Sequence, residues 1–313
     1  MGKFRYENMN GVSTSKSFAE LRQWRKERSA KRKDLSYVVP LCPDASVEWL
    51  QENKSRTAVT WIGHATFLVQ MNGVNLLTDP VWAEKMGFEK RLAPPGIALE
   101  KLPAIDVVLL SHSHYDHMHI ASLKALRGRN PGMKLYVPAG LAAPLRRRGF
   151  ERIAELNWWE KTEIQGLELH FVPAQHWSRR TLTDTNRSHW GGWIMGRSGA
   201  SKEEEAIYFA GDSGYFPGFK LIGERFRIGT ALMPIGAYEP EWFMGNQHVT
   251  PEQAVQAFVD CGAARFVPMH YGAFRLADDT PREALDRLLA EWERRGLPQD
   301  RLHVLLHGGT LKL

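Results

Sequence analysis

Four metal-capable side chains fall within six positions in the stretch Ser111-His112-Ser113-His114-Tyr115-Asp116-His117. Directly before it runs Ile105-Asp106-Val107-Val108-Leu109-Leu110. A short run rich in Val and Leu predicts a strand covered on both faces. Alternate residues of an extended segment point the same way, so His112 and His114 are expected to reach one metal ion. Asp116 and His117 follow where the chain turns toward the next helix, which directs them to a second ion. Imidazole suits zinc and other borderline metals, and a carboxylate widens the choice toward iron or manganese. The bland alternative is a loop of solvated histidines. So many ligand-type residues at a buried strand end are costly unless they bind something.

The same arrangement recurs along the chain. A predicted strand at 167–172 delivers Gln175-His176-Trp177, one at 206–209 delivers Gly211-Asp212-Ser213, and one at 265–269 delivers His270. Strand ends on one side of an α/β layer converge, and sites form there. Asp79 ends a predicted strand at 74–78, and His64 sits on the turn before another at 66–71. Both are expected to support metal-ligand side chains from behind instead of binding metal themselves. A long loop after 231–234 holds Trp242, Phe243, Met244, Gln247 and His248.

The remaining elements supply the frame. Asn72-Gly73 between two apolar runs predicts a hairpin. Further strands are expected at 59–61, 134–137, 191–195, 302–306 and 310–313. Helices are expected at 120–126, at 139–148, from Thr250 with Pro251 at its first position, and at 281–294. Ser17 is expected to cap a helix through Phe18, Leu21 and Trp24. Strands alternating with helices indicate an α/β protein with sheets sandwiched by helices.

At 313 residues, 43% hydrophobic and 11% aromatic, the chain suits a globular fold. We expect a catalytic domain over 55–313 behind a basic extension at 1–54. Cys42 and Cys261 stand far apart and outside any CxxC pattern, which fits a reducing compartment and no thiolate zinc site. The absence of a signal-type or membrane-spanning apolar run leads us to expect a cytoplasmic protein, at most peripheral on the inner face of a membrane. The net charge of +6 is concentrated in Arg22, Arg25, Lys26, Arg28, Lys31, Arg32 and Lys33, with a second knot at Arg146-Arg147-Arg148. Such clusters dock anionic lipid or nucleic acid, or simply form a solvated helix face.

The set His112-x-His114-x-Asp116-His117, His176, Asp212 and His270 resembles the metallo-β-lactamase superfamily of binuclear hydrolases, over about residue 57 to the C-terminus. Gly63-His64-Ala65-Thr66, Gln175-His176-Trp177, Gly211-Asp212-Ser213-Gly214-Tyr215, Gln247-His248 and Met269-His270-Tyr271-Gly272 are similar to its branch of N-acyl-phosphatidylethanolamine-hydrolysing phospholipases D. The resemblance implies an αβ/βα sandwich of two mixed sheets flanked by helices. It also implies two divalent ions, zinc first, with iron or manganese as alternatives. His112, His114 and His176 would hold one, Asp116, His117 and His270 the other, and Asp212 would bridge them. His119 departs from the pattern, standing where such proteins commonly carry Asp or Gly.

The chemistry implied is hydrolysis by a hydroxide shared between two ions about 3.5–4 Å apart. For a phosphodiester, Asp116 belongs to the catalytic centre, His248 protonates or stabilises the leaving group, and Gln247 orients a phosphate oxygen. The expected substrate is a phospholipid or other small phosphodiester. A lactonase or sugar-phosphate hydrolase is the alternative. A nuclease is less favoured, because no second domain interrupts the motifs and aromatic residues do not alternate with basic ones. No stable nucleic-acid partner is therefore expected. A non-catalytic metal-binding regulator would not require all seven ligand positions. The sequence leaves the oligomeric state open.

Overall fold

A computed structural model describes residues 4–14, 16–31, 33–199 and 204–313, so Arg32 of the basic cluster lies outside the described residues. Two sheets stack face to face. The first has strand order β15-β1-β2-β3-β6-β7-β8, with β1 Ala58–Gly63, β2 Thr66–Met71, β3 Val74–Thr78, β6 Val107–Leu109, β7 Lys134–Pro138, β8 Ile153–Leu156 and β15 Thr310–Lys312. The second has order β14-β13-β12-β11-β10-β9, with β9 Lys161–Ile164, β10 Leu167–Val172, β11 Gly192–Arg197, β12 Ala206–Phe209, β13 Ile228–Pro234 and β14 Arg265–Met269. A small hairpin of β4 Lys85–Met86 and β5 Glu89–Lys90 stands apart from both.

Each sheet is mixed. In the first, β3, β6, β7 and β8 run parallel and β15, β1, β2 and β3 antiparallel. In the second, β12, β13 and β14 run parallel and the rest antiparallel. Strands β1, β2, β3, β6, β12 and β13 are buried at every position. The cause is a core on each face. Val59, Trp61, Phe67, Val107 and Leu109 face Phe171, Trp193, Met195 and Phe209 across the sandwich. The other face of the first sheet, with Ile62, Leu68, Leu77 and Val108, packs under Leu123 and Leu126 of α3 Ile120–Arg129 and Leu145 of α4 Ala142–Arg146.

Outside the second sheet lie α5 Gly218–Arg225, α7 Pro251–Asp260 and α8 Pro281–Arg294. Thr250 caps α7 in a capping box with Gln253, with Pro251 at the first position. The sandwich is the layering expected from the sequence. Local departures have local causes. The helix expected at 139–148 shrinks to α4, because Ala139 still donates to Leu156 O and Gly140 takes φ +93°. Residues 302–306 form no strand, and only Leu302 bridges Phe266 there.

The N-terminal residues lie on the sandwich. Ser17 and Glu20 close a capping box on α1 Phe18–Ala30, whose Leu21 and Trp24 pack against Ala237, Phe243, Met244 and Ala277. Phe243 and Met244 belong to the short α6 Glu241–Met244. Trp24 Nε1 donates to Asp278 Oδ2 at 3.1 Å, and Arg28 pairs with Glu89 at 3.2 Å and with Asp278 at 3.6 Å. Leu21 and Trp24, with Arg28 of the basic cluster, are thus engaged with the protein. Phe18, Arg22, Arg25, Lys26 and Lys31 remain exposed. Between Asn53 and β1 no secondary element intervenes, α2 Val47–Glu52 being the last before it. No described helix is long and apolar enough to cross a membrane.

Candidate metal centre

The functional side chains meet where both sheets present the C-terminal ends of their parallel strands. Asp79 follows β3, the His112–His117 loop follows β6, Asp212 follows β12 and His270 follows β14. His176 lies four residues past β10, and His64 occupies the β1–β2 turn. The sheets are pinned together at this end. Trp193 Nε1 donates to Leu110 O at 2.9 Å, and Gly191 N to Ser111 O at 3.0 Å. Gly211 has φ +63°, and a β-carbon there would lie 2.8 Å from both Gly191 O and Ser111 Cβ. Only glycine fits so close a seam at that backbone conformation.

Two donor clusters result. In one, His114 Nδ1 lies 2.8 Å from His112 Nε2 and 3.2 Å from His176 Nε2. In the other, His117 Nε2 lies 3.2 Å from both His270 Nε2 and Asp116 Oδ2, and His64 Nε2 lies 2.9 Å from the same Asp116 oxygen. Asp212 stands between them, with Oδ2 3.1 Å from His117 Nε2, 4.0 Å from His112 Nε2 and 3.9 Å from His176 Nε2, and Oδ1 3.2 Å from His270 Nε2. Each set has donor atoms close enough to hold one ion.

Three rear nitrogens, on His112, His117 and His176, are occupied, which orients those rings, whereas His114 Nε2 and His270 Nδ1 are buried without partners. Asp79 Oδ2 accepts from His117 Nδ1 at 2.7 Å and from Ser111 Oγ at 2.5 Å. Ser111 Oγ, its proton so committed, accepts from His112 Nδ1 at 2.9 Å. Gln247 O accepts from His176 Nδ1 at 2.8 Å. For His112 and His176 this leaves Nε2 with a lone pair aimed at the cluster, the arrangement a ligating imidazole needs, and His117 reaches it when its Nε2 proton is displaced. Asp212 Oδ1 and His248 Nδ1 are buried without hydrogen-bond partners. Buried nitrogens and carboxylates converging in this way fit divalent cations.

Charge separates the clusters. Burial lowers His114 to about 3 and His176 to about 4, and takes His112 well below the ordinary histidine value. Burial also acts downward on His117 and His270, but the carboxylates prevail. Asp212, Asp116 and Asp79 hold His117 well above its usual value, and Asp212 and Asp116 hold His270 at about 9. Burial opposes ionisation of Asp116 and Asp212, yet His117 and His270 keep both well below the carboxylate range. His64, Asp79 and His270 have φ of +55°, +34° and +63°, strained conformations for non-glycine residues.

All seven residues expected to touch metal therefore come together. Asp79 supports His117 and His112 from behind. His64 reaches Asp116 directly and also belongs to the second donor group. His248 stands with Nδ1 3.9 Å from Asp212 Oδ2, and burial takes it well below the ordinary histidine value. Gln247 contributes its main-chain carbonyl to His176, while its amide Nε2 meets Met244 Sδ at 3.3 Å. His119 caps α3, its Nδ1 2.8 Å from Ser122 Oγ.

Two supports escaped sequence reading. Arg180 Nη1 donates to Ser113 O at 2.8 Å and Met118 O at 2.9 Å, clamping the histidine loop, and its guanidinium covers the Tyr115 ring at 4.1 Å. Its place beside Gln175-His176-Trp177 was the available signal. Asn8, beside the His176 backbone, gave none.

A cleft of about 930 Å³ opens over the clusters. Met86, Trp177, Leu182, Met244 and Leu276 form apolar walls, and Lys85, Arg179 and Arg180 add positive charge. Among the described residues, the only acids lining it are Asp116 and Asp212. Leu182 at 86% and Phe88 at 106% exposure stand apolar at its rim and on the adjoining β4–β5 turn.

Residues 74–271 match the family profile described as β-lactamase superfamily domain. The chain is 36% identical to N-acyl-phosphatidylethanolamine-hydrolyzing phospholipase D 1 of Caenorhabditis elegans, over 76% of this chain and 71% of that protein. It is 34% identical to a metal-dependent hydrolase of Methanopyrus kandleri, over 72% of this chain and 88% of that one. Among solved structures, the metallo hydrolase Igni18 of Ignicoccus hospitalis superposes with a TM-score of 0.63 at 27% identity, over 83% of this chain and 99% of that one.

Proposed function

This chain belongs to the metallo-β-lactamase superfamily and is a metal-dependent hydrolase, and from that premise we propose that it is a phosphodiesterase of phospholipase D type acting on N-acyl-phosphatidylethanolamine-like lipids. The observation that carries the reading is the cleft. Apart from the two metal-facing aspartates its charged lining is basic, and its walls and rim are apolar. An anionic diester with acyl chains satisfies both features, whereas a small neutral lactone uses neither. The worm relative's name adds support for the same substrate class.

In this reading residues 55–313 are the catalytic unit and residues 1–54 extend it. His112, His114 and His176 would hold one divalent ion and Asp116, His117 and His270 the other, with Asp212 placed between the two sets. Zinc suits the donor set best, with iron or manganese also compatible. Bound there, such ions supply a nucleophile at neutral pH and offset charge on the phosphoryl oxygens. Lys85 and Arg179 hold the phosphate at the mouth, and the apolar walls take the chains. His248, neutral in its buried setting, presents an N–H toward the departing alkoxide, and Gln247 fixes His176. Asp116 completes the centre with His64 bonded behind it.

The test is product analysis. Vesicles containing N-acyl-phosphatidylethanolamine should yield phosphatidic acid and N-acylethanolamine, with activity lost on chelation and restored by metal. Faster turnover of a lactone than of any phosphodiester would overturn the reading.

A further inference from the structure

The N-terminal strap, residues 4–14, reaches the metal centre through one side chain. Asn8 is 8% exposed and uses its whole amide. Its Oδ1 accepts from His176 N at 3.0 Å and Trp190 Nε1 at 3.1 Å. Its Nδ2 donates to His176 O at 3.1 Å and Val12 O at 2.9 Å. The amide thus grips both backbone polar groups of a single residue, 168 positions away. Tyr6 anchors the strap, donating from its N to Asn186 O at 2.8 Å and stacking on His189 at 4.3 Å between centroids.

His176 depends on this grip more than its neighbours do. His112, His114 and His117 share one loop, fixed by Asp79, Ser111 and Arg180. His176 lies one residue past the isolated Gln175–Gly214 bridge, its own backbone groups are held by Asn8, and its ring has one rear hydrogen bond, to Gln247 O. Rotation of its backbone would swing Nε2 away from His114 Nδ1.

We propose that Asn8 is a positioning residue for His176, so that the N-terminal strap tunes the affinity of the His112/His114/His176 cluster and leaves the Asp116/His117/His270 cluster unaffected. The inference rests on the two-cluster reading of the site. Groups behind metal ligands typically contribute about 10–100-fold in metal affinity.

The experiment titrates the full-length apoprotein with zinc alone, in competition with a chromogenic chelator, and reads two stepwise affinities. His114→Ala identifies the step belonging to the first cluster. Asn8→Leu should weaken that step by about 10–100-fold and leave the other within a factor of about two. Asn8→Asp keeps the size and the acceptors but loses both donors, and should weaken the same step less. It also serves if Asn8→Leu fails to fold. Phe258→Leu, a core change on α7, provides a control with lowered Tm and unchanged affinities. Equal weakening of both steps in the Asn8 variants, or no change in either, overturns the proposal alone. A single step in the wild type, or two steps untouched by His114→Ala, overturns the two-cluster reading and the proposal together.

Discussion

The two donor clusters sit side by side at one seam, yet they are built differently. The His112/His114/His176 cluster has only imidazoles, all held neutral by burial. The Asp116/His117/His270 cluster mixes a carboxylate with imidazoles whose proton affinity is raised by surrounding acids. The first draws a donor from the segment past β10, gripped by distant residues, whereas the second takes His270 directly from the end of β14 and shares the loop after β6 with the first. An all-imidazole site is preformed for metal but electrostatically weak. A site with carboxylates attracts cations strongly, and protons compete for it.

The largest test of this contrast removes one donor from each side. His114→Ala and His270→Ala should each lose one ion per chain and reduce turnover to background, checked by elemental analysis of purified protein. Two ions retained with normal activity in either variant would break the assignment. Next in size is His248→Ala. Removing one hydrogen-bond donor to developing charge costs about 10²–10³-fold, so kcat should fall within that range while both ions stay bound. A nitrophenolate leaving group, which needs no proton, should recover most of the loss. A metal deficit in this variant would instead make His248 a ligand beside His176 and Asp212.

Asp79→Asn should lower metal affinity or activity by about 10–100-fold. Because Asp79 contacts His117 directly and His112 through Ser111, both zinc steps should weaken, the His117 step more. Weakening of one step alone would show that the Ser111 link transmits nothing.

The smallest effect concerns protons. His270 has a folded-state value of about 9, above the unfolded value near 6.5. Its contribution to apoprotein stability is fully present below about pH 6.5 and lost as pH rises through about 9. The Tm of the apoprotein should fall over that window. At pH 7, zinc entering the second cluster must displace protons, whereas His114 and His176, at about 3 and 4, have none to lose. Calorimetry in buffers of different ionisation enthalpy should show proton release in one step only.

Much of this centre could be read from the sequence because each metal-facing residue follows a strand or opens a turn. A buried strand declares itself by a run such as Val107–Leu109, and polar residues directly behind it stand out. Asp79 and His64 were legible for the same reason. Edge strands were not. In β8 only Leu156 is fully buried, and β9 alternates charged and polar residues, so neither has a distinctive run. Residues 302–306 looked like a strand by composition but find one bridge partner. Asn8 was invisible because nothing local marks an asparagine whose long-range partners are His176 and Trp190. Its role also changes what removal of the first forty residues would mean. Such a deletion takes away Asn8 and the Leu21–Trp24 packing behind Ala237 and Met244 together with the basic charges. Charge reversal at exposed Arg22, Arg25 and Lys26 isolates the electrostatic contribution.

The pins joining the sheets at the site also bear on how the molecule breathes. Trp193 to Leu110, Gly191 to Ser111 and the close approach at Gly211 tie both layers together beneath the histidines. Opening the backbone there means parting the layers, which exposes the shared core. Amide exchange around Leu110, Ser111 and Gly191 should therefore follow global unfolding, while the rim near Phe88 and Leu182 exchanges through local excursions. Substrate can thus enter through a yielding rim over a floor that stays closed.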